Sequence, residues 1–165
     1  MEYKKANKKD VKFLLKFYND SLIQEKGLNI KNEIILENNI LDTINYFEEE
    51  YLDMLILIDN NDFIGLLMIY EKNKIKDYCK IGISFIKEFR YKNLFVKALR
   101  LAEEIVYNYG YSKIVGEIDE NNKYVIKKIL NYGFYPVEDN RNKKKKFQID
   151  RKILIFEKKL KGVIL

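Results

Sequence analysis

Histidine and tryptophan are absent from this 165-residue sequence, cysteine and proline occur once each, and glycine occurs seven times. Without imidazole, serine–histidine hydrolases, cysteine–histidine proteases and histidine-ligated zinc enzymes are excluded as single-chain readings. Cys79 stands alone, so no internal disulfide can form. Within an apolar run and far from any base, it reads as a packed residue rather than a reactive thiol. Long apolar runs are lacking as well: the strongest, such as 54–58, fall far short of the roughly 18 residues that a membrane span needs. The amino terminus, Met1-Glu2-Tyr3-Lys4-Lys5, is charged from the start and has no secretory apolar stretch, so a cytoplasmic location is expected.

What remains is a chain with 47% apolar and 34% charged residues, the balance of a globular protein, and its length suits one domain over 1–165. The net charge of +6 comes almost wholly from lysine, spread along the chain rather than gathered on one face, which argues against a nucleic-acid partner. The densest basic run, Arg141 with the lysines of 143–146, reads as a solvated hairpin tip.

Periodicity orders the elements. Residues 1–6 predict a first strand. Asn7 or Asp10 then caps a helix with Val11, Leu14, Leu15, Tyr18 and Leu22 on one face, closed by Gly27. A second helix is expected over 32–50, carrying Ile34, Ile35, Ile40, Leu41, Ile44 and Phe47. Two apolar runs, 52–58 and 63–70, flank Asp59-Asn60-Asn61-Asp62, the pattern of a β-hairpin. After a charged loop over 71–77, the run 78–86 extends the meander. Phe95, Ala98, Leu99, Ala102, Ile105, Val106 and Tyr109 mark one face of a helix that Gly110 closes. A strand over 114–118 precedes a helix capped by Asn122, bearing Val125, Ile126, Ile129 and Leu130 and stopping near Gly133. Strands over 134–137 and 147–156 complete an α/β (α+β) chain: a mixed, mostly antiparallel sheet of about seven strands with about four helices.

Two segments carry the chemistry. The first is Ile81-Gly82-Ile83-Ser84-Phe85-Ile86-Lys87-Glu88-Phe89-Arg90, which runs from a strand into a helix. Such a junction presents unpaired amides and the positive end of the helix dipole to an anion. The second runs from Asn122 to Leu130-Asn131-Tyr132-Gly133-Phe134. With them, the chain resembles the GNAT N-acetyltransferase superfamily, over nearly its whole length in element order and over 81–134 in motif. It is closest in pattern to the ribosomal-protein amino-terminal acetyltransferase type, with a degenerate pyrophosphate loop.

The resemblance implies acetyl-coenzyme A as cofactor. Its pyrophosphate would lie at Arg90, Tyr91, Lys92, Asn93, Leu94 and Phe95, its pantetheine along the backbone of Phe85 and Ile86, and its thioester between that strand and the one holding Glu117. Asn122 keeps the family's position ahead of the next helix. The acceptor so implied is a primary amine, on a small molecule or a peptide.

Three positions depart from the pattern. Asn93 and Phe95 stand where the family's loop has small residues; asparagine tolerates a left-handed backbone, and Phe95 must turn onto the helix's core face for the amides to stay open. Ile129 stands where the family often has a proton-donating tyrosine, leaving Tyr132, Tyr124 or solvent as substitutes. Glu117 is placed like the catalytic glutamate of the ribosomal-protein type, which implies a general base. By its own alternation it reads equally well as a surface-facing strand residue. Phe95 and Ile129 together also fit a module that keeps the scaffold without turnover and serves to bind or dimerise. Exposed sheet edges leave room for a homodimer, and Asp20, Glu25, Glu37 and Glu48 offer charge to a cationic amine.

Overall fold

Alternating apolar residues on the middle strands send side chains to both faces of one sheet, and helices cover each face. The computed structural model describes residues 1–28, 33–90, 92–137 and 152–160. Seven strands, β1 (Glu2–Lys5), β2 (Asp53–Asp59), β3 (Asp62–Asn73), β4 (Tyr78–Phe85), β5 (Lys113–Asp119), β6 (Tyr135–Val137) and β7 (Ile153–Lys159), form a sheet in the order β1-β2-β3-β4-β5-β7-β6. Every neighbouring pair is antiparallel except β4 and β5, which are parallel. Helices α1 (Val11–Tyr18) and α2 (Glu37–Glu49) pack on one face through Leu14, Phe17, Ile40 and Ile44 against Met54, Ile56 and Leu66. Helices α3 (Leu94–Asn108) and α4 (Lys123–Asn131) cover the other through Ala98, Leu99, Ala102 and Ile129 against Leu67, Ile69, Ile81 and Ile114. Among the described residues no helix is long and apolar enough to cross a membrane.

The hairpin forms where the asparagines predict it: Asp59 faces Asp62, and Asn60 and Asn61 take φ of 51° and 66°, the left-handed pair that a two-residue turn requires. Gly110 closes α3 at φ 81° and Gly133 follows α4 at φ 97°. Cys79 is fully buried, and burial pushes its thiol up to about 12, in keeping with a packed residue.

The first helix is shorter than its apolar spacing predicts. It ends at Tyr18 because Asn19 donates to the carbonyls of Leu15 (3.0 Å) and Ile35 (2.9 Å), while Asp20 accepts from the amides of Leu22 (3.0 Å) and Ile23 (3.1 Å). Side chains that offer the backbone local partners interrupt a helix. The path resumes as a π-helical turn over Ile23–Leu28, which contains Gly27. The second helix starts later than expected, since the Asn39 side chain accepts the Leu36 amide at 2.9 Å and fixes the first turn at Glu37; Ile34 lies outside it, 82% exposed. The expected loop over 71–77 is partly strand, because β3 continues to Asn73. The basic run 141–146 and the start of the last predicted strand, 147–151, lie outside the described residues.

Candidate functional site

The parallel pair β4–β5 determines the site. Its register runs from Tyr78 opposite Lys113 to Ile81 opposite Gly116 and stops there. Beyond that point β4 continues to Phe85 beside β3, and β5 continues to Asp119 beside β7, without pairing to each other. The two strands therefore open into a wedge. A Cβ at Gly116, the last paired residue of β5, would meet nothing within 4 Å, so the apex has free space. The Ile86 amide bonds back to the Ile64 carbonyl at 3.0 Å, which turns the backbone polar groups of Phe85 and Ile83, by strand alternation, toward the wedge. Of the two residues expected to line pantetheine, Phe85 thus offers backbone groups to the opening. Ile86 has its amide committed to β3.

At the open end lies a cleft of about 240 Å³ bordered by Arg90, Asn93, Leu94, Phe95, Val96, Tyr124 and Lys128. Asn93 takes the left-handed conformation (φ 54°, ψ 21°) and gives α3 no side-chain cap, leaving the first-turn amides for a ligand or water. Phe95 packs against the core shared with α3 and α4, the orientation that keeps those amides accessible. Lys92 sits over the Phe89 ring at 4.4 Å, and Lys128 over Tyr124 at 5.6 Å. Arg90 does more than add charge: its Nε donates to the Phe85 carbonyl at 3.1 Å and its guanidinium pairs with Asp20. Burial pushes the Asp20 carboxyl up, but Arg90 and the amides of Ile23 and Leu22 outweigh it and hold the group below the usual carboxylate range. That pair ties the turn after α1 to the loop before α3. Asn122 caps α4 by accepting the Val125 amide at 3.3 Å, and Tyr91 lies outside the described residues.

Glu117 faces away from α3 and α4. Its neighbours on β5, Ile114 and Ile118, join the core under those helices, so alternation places Glu117 on the opposite face. There its Oε1 lies 2.9 Å from Lys80 Nζ, which also reaches Glu71 at 2.7 Å. Glu71 in turn accepts from the Tyr78 hydroxyl. The Lys80 side chain is only 5% exposed, yet its affinity for protons is raised: burial lowers it, and the hydrogen bonds and charges of Glu71 and Glu117 outweigh that. Lys80 thus stands between two carboxylates.

The two proposed substitute acids line different clefts. The Tyr132 hydroxyl donates to Glu103 Oε2 at 2.9 Å, and Lys158 sits over its ring at 3.9 Å, in a separate groove with Arg100 and Tyr107. Tyr124 borders the cleft at the amino end of α3. Ile129 is 3% exposed within the core. Sequence reasoning overlooked Lys80, Glu71 and Tyr70; the one available signal was a lysine alternating with apolar residues in an otherwise buried strand.

The chain matches no family model and no curated protein. Solved structures do match over nearly its full length. A spermidine N-acetyltransferase from Vibrio cholerae, in complex with CoA and spermine, superposes with a TM-score of 0.83 at 14% identity, covering 96% of this chain and 95% of that one. A ribosomal-protein-alanine N-acetyltransferase from Brucella melitensis gives 0.75 at 14% identity, over 97% and 100%. The structure of yncA from Salmonella typhimurium, solved with its cofactor acetyl-CoA, gives 0.73 at 15%, over 98% and 94%. The fold is that of the GNAT acetyltransferases.

Proposed function

We propose that this chain is an acyl-CoA-dependent N-acetyltransferase that moves an acetyl group to a primary amine. The observation that carries the reading is the parting of β4 from β5 beyond Ile81 and Gly116, with an uncapped helix start at its open end. Acetyl-CoA fits what lines this space: the first-turn amides of α3 with Arg90 and Lys128 suit a diphosphate, and the Phe85 amide, turned toward the opening, suits an amide chain. When bound, it supplies an acetyl group activated as a thioester. Glu117 receives the proton that the attacking amine must lose, and Lys80 holds that carboxylate in place. An amine is also the kind of acceptor that the spermidine and ribosomal-protein neighbours are named for. A cytoplasmic location and a homodimer through the exposed sheet edges belong to the same reading.

The commitment of Tyr132 to Glu103 favours a second reading, a GNAT-fold binding module without turnover. Release of free thiol from acetyl-CoA, followed against a panel of polyamines and peptide amino termini, separates the two. Thiol release that depends on the amine is expected. None with any amine, alongside intact cofactor binding, leaves the module.

A further inference from the structure

The register between β3 and β4 slips by one residue between Ile69, opposite Ile81, and Glu71, opposite Lys80. Tyr70 is the extra residue of this β-bulge, a device that re-aims a side chain and recurs beside active sites. Its ring lies over β4, where the Cβ position of Gly82 is 3.6 Å from Tyr70 Cε1. Neighbouring strands are about 4.8 Å apart, so a ring that starts on β3 and passes Gly82 carries its hydroxyl across β4 toward the wedge. Gly82 directly follows Ile81, the last residue of β4 paired to β5, so the ring crosses at the wedge apex. Among the described residues the hydroxyl has no hydrogen-bond partner.

On these grounds, and resting on the transferase reading above, we infer that Tyr70 is the proton donor to the departing sulfur, in the role that Ile129 cannot fill. As the carbon–nitrogen bond forms and the carbon–sulfur bond breaks, the sulfur takes the phenolic proton. The amine's proton passes to Glu117, and from there the Tyr70 phenolate regains one, so the pair ends as it began. Burial first, then the negative charges of Glu117 and Glu71, push the resting phenol well above its ordinary value, so the hydroxyl is protonated at rest.

Tyr70→Phe keeps the ring over Gly82 and removes only the hydroxyl. We expect it to lower kcat about 10²- to 10⁴-fold with KM for acetyl-CoA unchanged. A second readout needs no turnover. By calorimetry at about pH 9, where an alkyl thiol begins to ionise, the wild type should bind CoA severalfold more tightly than desulfo-CoA, and the variant should bind both alike. A variant whose kcat stays within about twofold of wild type, or whose preference for CoA persists, overturns the assignment of Tyr70 alone. A wild-type protein that binds neither CoA nor desulfo-CoA instead removes the transferase reading, and this assignment with it.

Discussion

Replacing Glu117 by Gln should lower amine-dependent thiol release about 10²- to 10⁴-fold, the usual contribution of a positioned general base. The substitution keeps the side chain's length and one acceptor oxygen for Lys80, which retains Glu71 at 2.7 Å. The melting temperature should therefore fall by no more than about 4 °C, the shift that 1 kcal/mol produces in a domain of this size. Affinity for CoA should stay within about threefold, because Glu117 faces away from the helices that border the diphosphate cleft and does not line it. Steady-state kinetics, a thermal melt and a CoA titration on one preparation measure all three. A variant as active as the wild type would remove the base assignment and leave Glu117 as an ion-pair partner of Lys80.

Gly65→Ala should produce the largest loss of stability among conservative changes near the site. A Cβ at this position would lie 2.2 Å from the Ser84 carbonyl oxygen and 2.9 Å from Phe85 Cα, both backbone atoms that no rotamer change can move. The β3–β4 seam must open, with loss of ladder hydrogen bonds at the point where β4 begins to form the wedge wall. Overpacking of this kind costs roughly 3 kcal/mol or more, about 6–12 °C in melting temperature for a chain of this length. Gly116→Ala is the control: its Cβ meets nothing within 4 Å, and its melt should stay within about 2 °C of the wild type. Equal melts for the two variants would contradict the close approach of β3 to β4.

Much of the scaffold was legible because its signals are local. The paired asparagines announced the hairpin turn, and apolar spacing announced α3. Asn93 could be expected to adopt a left-handed backbone from its own chemistry, and Phe95 to face the core from its spacing with Ala98 and Ala102. The break after α1 was hidden because the Asn19 and Asp20 side chains are held by Ile35 and Arg90, distant in sequence. The cluster at the wedge was hidden for a different reason. A bulge at Tyr70 alters the inward–outward alternation of β3, so Glu71 looks like the start of a loop while its carboxylate sits beside Lys80. Tyr132, three residues after Ile129 and offered in its place, donates its hydroxyl to Glu103 on α3, a partner that its spacing does not reveal.

The account rests on the parted strands being a seat for the cofactor, and a crystal structure of the protein with coenzyme A bound tests this directly. It should have the diphosphate on the amides of Leu94, Phe95 and Val96, and the pantetheine between β4 and β5 in hydrogen bonds with the backbone of Phe85 or Ile83. Strands β4 and β5 paired beyond Ile81 and Gly116, with coenzyme A bound elsewhere or not at all, would contradict it.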